Sequence, residues 1–314
     1  MSKREASPLP QRDGLDAVRI VLPPAGPWRT VREYLHVRLS RLEPERIDAM
    51  LSQGRFVTAD GPVPTESPYR PGLSVWFHRE LPEEKPVPFD VEILHRDEHI
   101  VVVHKPHFLA TTPRGQHVMQ TALVRVRQKL GLPELSPAHR LDRATAGVLL
   151  FVVRPELRSA YQKLFAQRLV HKEYEAIAPV RPDLTLPTVV RSRIVKRRGV
   201  LQAHEVPGEP NAETYVELLE RRGDLGRYRL VPRTGRTHQL RVHLNALGIP
   251  IVGDPVYPHV RPSAWDDFSR PLQLLARTLA FIDPISKQER WFTSPASLSA
   301  WRETPERPTA AESR

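Results

Sequence analysis

The apolar runs of this chain are short and irregularly ordered, which limits the folds it can adopt. Residues 100–103 are β-branched throughout, and residues 147–153 are apolar, so both are typical of buried strands. Helical spacing in the same region is confined to residues 155–167 and 236–247. Because strands outnumber helices and do not alternate with them regularly, the pattern predicts an α+β domain on a mixed or antiparallel sheet. Further strands are expected at residues 172–178, 213–220, 227–231, 272–282 and 290–292.

A smaller unit precedes this domain. Val31, Leu35 and Leu39 recur at helical spacing, and a second helix is expected from Pro44 to the glycine at position 54. Two short strands near residues 55–58 and 73–77 would complete a small α/β unit. About fifty residues bury little surface, so this unit is better suited to docking than to catalysis.

Proline and polar residues mark the expected boundaries. Residues 1–25 and 303–314 are polar and proline-rich, and we expect both to be disordered tails. Prolines are also dense between residues 82 and 88, where a linker is expected. The predicted division is therefore a tail at 1–25, a small domain at 26–82, a larger domain at 83–302 and a tail at 303–314.

Composition favours a polyanionic partner and excludes several chemistries. Lys plus Arg number 47 and Asp plus Glu 36, a formal charge of +11 that suits a polyanion. Without cysteine there are no disulfides, thiolate nucleophiles or cysteine-ligated zinc, which argues against a zinc-dependent deaminase. No phosphate-binding glycine motif or metal-ligand spacing occurs, so we expect no nucleotide cofactor and no metal. No apolar run could span a membrane, and the chain is expected to be cytoplasmic.

Two dense clusters could carry chemistry. In the first, at residues 139–147, Asp142 lies among basic residues just ahead of a strand. The second, at residues 233–243, contains three arginines and two histidines at the start of a predicted helix. Taken alone, the first could equally be an ion pair in a turn, and the second an exposed basic helix start rather than an anion site.

Four blocks of sequence occur in one order and are more specific together than any one of them. They are Lys105-Pro106 with residues 111–115, residues 139–147, residues 172–176, and residues 234–241 followed by 248–255. Together they resemble the RluA-type pseudouridine synthase family over roughly residues 89–292. The small first unit resembles the alpha-L RNA-binding domain of a ribosomal small-subunit protein.

The resemblance implies an enzyme that isomerises uridine in structured RNA, either rRNA or tRNA, without a cofactor. The base would flip out, its glycosidic bond would break, and a new bond would form through C5. Asp142 would be the catalytic carboxylate, as nucleophile or base, with Arg241 gripping both of its oxygens and Tyr174 against the base or ribose. Arg140 would fill the vacated space in the RNA. Other residues expected to contact RNA are Arg114, Arg236, His238, Arg29, Arg32 and Arg55.

One alternative stays open at this level. A non-catalytic RNA-binding or ribosome-associated protein on the same fold would need the basic surface but not the pairing of Asp142 with Tyr174. We expect a monomer in either case. Detection of pseudouridine in treated RNA separates the two functions.

Overall fold

The structure is a computed structural model that describes residues 5–81, 83–261 and 267–302. The chain divides into two compact units, Met1–Glu83 and Glu84–Arg314, with the predicted linker at their junction. The predicted tail at 303–314 lies outside the described residues. Within the described ranges, no helix is long and apolar enough to cross a membrane.

The first unit packs two helices against a four-stranded sheet of order β1-β4-β2-β3. Thr30 caps the first helix by accepting a hydrogen bond from Glu33 N, and Pro44 opens the second at a position that needs no backbone donor. The buried faces of both helices meet Phe56 and Val75 in one apolar core. The elements are β1 (Val18–Val21), α1 (Val31–Arg38), α2 (Pro44–Ser52), β2 (Val57–Thr58), β3 (Gly61–Pro62) and β4 (Ser74–Phe77).

The prediction that residues 1–25 are disordered is wrong for Val18–Val21. This segment is a strand that pairs antiparallel with β4, from Val18 opposite Phe77 to Val21 opposite Ser74. Ile20 and Leu22 are buried in the core of the unit. The pairing partner lies more than fifty residues away along the chain, so the local composition gave no sign of it.

The second unit is built on a mixed sheet, which confirms the predicted fold class. Nine strands follow the order β11-β10-β12-β13-β9-β14-β8-β6-β5, with β15 added to β14 and β7 to β8. All described pairs are antiparallel except β14 with β8, which is parallel. The strands are β5 (Glu92–Arg96), β6 (Ile100–Lys105), β7 (Ser136–Pro137), β8 (Ala146–Val152), β9 (Val170–Pro179), β10 (Thr188–Val195), β11 (His204–Val206), β12 (Ala212–Arg222), β13 (Leu225–Pro232), β14 (Leu274–Ile282) and β15 (Glu289–Thr293).

Among the described residues of this unit, three α-helices accompany the sheet: α3 (Ala122–Leu130), α4 (Arg158–Ala166) and α5 (Gln239–Ala246). The sequence analysis did not predict α3. The helix expected at 155–167 begins with a short 3₁₀ turn, and the helix expected at 236–247 begins three residues later than predicted. The late start of α5 matters because the residues before it form a turn that faces the site.

Gly147 fixes where β8 begins relative to β14. Its φ of +122° is in a region that other residues rarely adopt, and a Cβ there would lie 2.2 Å from Ala276 O. Only glycine therefore permits the two strands to approach this closely. The loop that carries Asp142 consequently enters the sheet at one defined point.

Candidate active site

Asp142 lies on a short loop between β7 and β8, and Thr111 holds this loop in place. Thr111 Oγ1 donates to Leu141 O at 2.8 Å and accepts from Leu141 N at 3.1 Å. Thr145 N closes the turn by donating to Asp142 O at 3.1 Å. Since Leu141 is buried and Asp142 is not, the loop presents its carboxylate to the solvent-facing side while its backbone is fixed.

A buried lysine lies beneath the same loop. Lys105 Nζ donates at 2.8 Å to both Pro106 O and Leu109 O, and it lies 3.5 Å from Arg143 O. Desolvation lowers the pKa of Lys105 to about 7, against an opposing effect of the nearby Asp142 charge. Lys105 therefore ties the loop to the end of β6 and places an ionisable group under the carboxylate.

The pH dependence of stability should reveal this buried lysine. The unfolded chain keeps its proton up to the ordinary pKa of 10.5, whereas the folded chain releases it from about 7. Between these values the unfolded state binds more protons, so the free energy of unfolding gains a contribution that rises with pH by up to about 1.4 kcal/mol per pH unit.

Denaturant unfolding of the wild type and Lys105→Met at pH 7 and pH 9 tests this. The stability difference between them should grow in favour of the wild type at pH 9, and the exposed Lys129→Met should show no such change. A difference that is the same at both pH values would show that Lys105 keeps its ordinary pKa.

The turn before α5 forms the opposite wall of the site. Gln239 organises it, accepting from Thr234 Oγ1 at 2.7 Å and from Arg236 N at 3.0 Å. Its amide nitrogen donates at 2.9 Å to Glu213 O and Thr214 Oγ1 on β12. The turn is thereby fastened to the sheet, which sets the direction in which α5 leaves it.

Arg241 is not bound to Asp142 in the predicted bidentate manner. Its Nε and Nη2 donate at 2.7 and 2.6 Å to the two carboxylate oxygens of Asp254, and both side chains are buried. Arg241 Nη1 lies 3.8 Å from Asp142 Oδ2. Because one guanidinium fork can grip only one carboxylate face to face, Asp254 orients Arg241 and leaves its third nitrogen toward Asp142.

His238 and Tyr257 complete this wall. His238 has a left-handed backbone with φ of 60°, and its Nε2 lies 3.8 Å from Asp142 Oδ2. Its Nδ1 lies 3.1 Å from the Tyr257 hydroxyl, whose ring packs against the Arg241 guanidinium. Burial lowers the pKa of His238 to about 4, and the charge of Arg241 acts in the same direction. At neutral pH His238 is therefore uncharged, and Arg241 supplies the positive charge beside Asp142.

Tyr174 and Lys172 come from β9 and point to the same side, two residues apart. Burial, followed by the Asp142 charge, raises the pKa of Tyr174 well above its usual value. Its phenol therefore keeps its proton at neutral pH and can donate a hydrogen bond. Lys172 Nζ donates to Thr234 O at 3.1 Å and so joins β9 to the turn before α5.

Most of the residues predicted from the sequence surround one pocket, whereas Arg114 does not. Arg114 is exposed on another loop, where its backbone pairs with that of His117. Arg29, Arg32 and Arg55 belong to the first unit. The pocket has a volume of about 160 Å³. Its lining includes Arg140, Asp142, Tyr174, Arg236, His238 and Arg241.

Several residues of the matched blocks are structural. His139 stacks on Phe165 with ring centroids 4.4 Å apart, and its Nε2 accepts from Leu150 N, while burial lowers its pKa to about 3.

The sequence analysis did not recognise Asp254, although it lies inside the quoted block 248–255. A buried arginine needs a carboxylate partner, and that requirement was the available signal.

Comparison with known proteins identifies the family. A model described as RNA pseudouridylate synthase matches residues 99–246. The dual-specificity RNA pseudouridine synthase RluA of Pasteurella multocida is 33% identical over 214 residues, covering 66% of this chain and 94% of the relative. This chain therefore belongs to the RluA-type RNA pseudouridine synthase family. It is an isomerase that converts uridine in RNA to pseudouridine.

Solved structures agree with the fold. Human RNA pseudouridylate synthase domain containing 4 has a TM-score of 0.50 at 27% identity, covering 65% of this chain and 87% of that one. Human RNA pseudouridylate synthase domain containing 1 has a TM-score of 0.54 at 24% identity, covering 68% of this chain and 86% of that one. The second similarity shows the fold alone.

Proposed function

We propose that the pocket at Asp142 is where the uridine is isomerised and that Asp142 is the catalytic carboxylate. The observation that carries this proposal is that Asp142 is the sole carboxylate among the described residues that line the pocket. Its loop backbone is fixed by Thr111, and a positively charged nitrogen of Arg241 lies beside it. A carboxylate in such a place can act on a bound nucleoside.

In the proposed reaction, Asp142 attacks C1′ of the ribose or removes a proton from the ribose, and the bond from N1 to C1′ breaks. The freed base turns, and C5 forms the new bond to C1′. The hydrogen on C5 is then lost as a proton, and N1 gains one, so the product is an isomer of the substrate. Because all atoms are conserved, these steps consume no co-reactant.

Tyr174 acts in this scheme as a protonated donor. Its raised pKa makes ionisation at neutral pH costly, so its hydroxyl can hydrogen-bond to the base or ribose while its ring packs against it. Tyr174→Phe keeps the ring and removes the donor. The single-turnover rate should fall by about tenfold or more while RNA affinity stays within about twofold. Equal single-turnover rates would make Tyr174 a packing residue.

Arg140 and Arg236 are the pocket residues best placed to meet the RNA around the target nucleotide. Both are exposed, and both line the pocket. We propose that Arg140 occupies the space that a flipped uridine leaves in its helix, and that Arg236 and His238 contact the adjoining backbone. Arg114 would contact RNA farther from the target.

We further propose that the first unit is an alpha-L-type RNA-binding domain. The sequence assigned phosphate contacts to Arg29, Arg32 and Arg55, and Arg29 is exposed as this requires. Arg32 instead grips Asp48 through two hydrogen bonds, which lowers the pKa of Asp48 to about 2, and Arg55 pairs with Glu80. These two arginines therefore have internal partners, and Arg29 carries the larger share of the proposed contact.

Removing the first unit should weaken binding to large RNA. A fragment that begins at Glu84 should keep its site but lose affinity for a long structured RNA, and the slope of log Kd against log salt should flatten. Activity on a short stem-loop should change less. Equal losses on long and short RNA, or an unchanged salt slope, would make the first unit a stabilising appendage.

The RNA class is part of the same proposal: we expect a structured rRNA or tRNA and a monomeric enzyme. Transcripts of both classes, incubated with the purified protein and mapped for pseudouridine, test this choice. Modification of one position in a structured region supports the proposal. Modification restricted to unstructured RNA contradicts it.

A further inference from the structure

A second groove, here called the flank groove, lies beside the catalytic pocket. It is lined by residues 168–172, Val189, Tyr215 and residues 231–233, with Glu213. Lys172 and Pro232 line the groove and the pocket alike. Because His171 alternates with Lys172 along β9, its side chain faces the opposite side of the sheet from Tyr174. The groove thus continues from the pocket around the strand ends.

The floor of the flank groove is apolar and unusually exposed. Leu169 is 59% exposed and Val189 is 42% exposed. Val189, Tyr215 and Val231 lie directly opposite one another on β10, β12 and β13, so their side chains share one face. A contiguous apolar surface beside an active site is typical of a binding surface.

The rim of the groove is basic. Arg168 and Arg233 line it, and Arg191 lies next to Val189 on the same face. Glu213 pairs with Arg191 at 2.9 Å and lies 3.6 Å from Arg233, so two arginines share this one carboxylate. An apolar floor within a positive rim matches a nucleotide, which combines a base with a phosphate.

Arg168 occupies a backbone position that favours glycine. It ends the turn after α4 with φ of 60°, the left-handed region that follows many helices. An arginine there is strained relative to glycine. The position therefore keeps its guanidinium beside the groove at the expense of backbone stability.

We propose that the flank groove binds an unpaired nucleotide adjoining the target uridine, with its base on Leu169, Val189 and Tyr215 and its phosphate near Arg168 and Arg233. This rests on the proposal that the uridine enters the pocket at Asp142. Since the two sites meet at Lys172 and Pro232, an RNA strand that places one nucleotide in the pocket can place a neighbour in the groove. The groove would then select uridines that have an unpaired neighbour.

Binding measurements test the groove separately from catalysis. The probe is the shortest stem-loop, cut from an rRNA or tRNA transcript, that the wild-type enzyme modifies, and Kd is measured in an Asp142→Asn background. Arg168→Gly and Val189→Ser should each weaken binding by about three- to tenfold. Arg168→Gly should melt no lower than the parent, because glycine relieves the strained backbone.

Matched controls are Arg96→Ala, on the far edge strand, and Leu219→Ser, whose side chain is 43% exposed. Both should bind as the parent does. An abasic substitution at the flanking nucleotide should weaken binding by the parent and leave Val189→Ser nearly unaffected. Parent-like binding by both groove variants would overturn the proposal, whatever the activity of Asp142→Asn proves to be.

Crosslinking supplies an independent outcome. Probes carrying one 4-thiouridine beside the target should attach to peptides that contain residues 168–171, Val189 or Tyr215. Attachment only elsewhere would contradict the proposal. Sedimentation that shows a dimer disrupted by Val189→Ser but not by Leu219→Ser would assign the surface to a second copy of the chain and overturn it as well.

Discussion

Replacing Asp142 with asparagine is expected to reduce turnover by roughly a thousandfold or more, because a catalytic group that acts in every turnover has no substitute. Asparagine keeps the size and polarity of the side chain, and the loop backbone is held by Thr111 rather than by the carboxylate. RNA affinity should therefore stay within a few-fold. Single-turnover rates and Kd on the same RNA measure both effects.

The control for Asp142→Asn is thermal melting, which should change little because this side chain is partly exposed. Turnover at a tenth of the wild-type rate or above would contradict the assignment of Asp142. Loss of both activity and RNA binding would also contradict it, because the loop backbone is held by Thr111 and not by the carboxylate.

Arg241→Lys is expected to have the second-largest effect on the rate of the reaction, although it keeps the charge. Lysine cannot reproduce the two parallel hydrogen bonds to Asp254 or reach Asp142 at the same time. We expect about 2 kcal/mol lower stability, from lost charge-assisted hydrogen bonds at a buried site. The single-turnover rate should fall by about a hundredfold, a loss typical of a removed charge-stabilising donor.

Asp254→Asn separates the two roles of Arg241. It leaves the guanidinium in place but removes its buried partner, which should cost about 3 kcal/mol or more. If Arg241 acts on Asp142 only when oriented by Asp254, the rate falls in this variant too, even under conditions where it remains folded. An Arg241→Lys variant as active and as stable as the wild type would show that neither contact matters.

Local patterns were sufficient for several strands of the second unit, but not for β5, β10 or β11, which the sequence analysis did not predict. The residues of the pocket were assigned through the family resemblance and not from local patterns alone. The β-branched run at 100–103 and the apolar run at 147–153 correspond to β6 and β8, because a buried strand has its signature in its own residues. Residues 236–238 were predicted to begin the helix that continues to residue 247, whereas they belong to the turn before α5. The hydrogen bonds of Gln239 to β12, which a sequence does not display, keep it non-helical.

Contacts between distant residues account for most of what the sequence did not reveal. β1 depends on a partner far along the chain, and Arg241 could have paired with either of two carboxylates. Helix α3 is different, since Thr121 caps it and Gly131 ends it in a left-handed conformation. Those two signals were readable, and the β-branched valines between them concealed the helix.

The central claim is that uridine is isomerised at Asp142, and the most direct measurement follows the hydrogen on C5. RNA transcripts with tritium at C5 of uridine should release the label to water as C5 forms its new bond, in a one-to-one ratio with pseudouridine formed. The wild type should release it, and Asp142→Asn should not. RNA that binds tightly to the wild type but releases no tritium, or equal release by Asp142→Asn, would contradict the account.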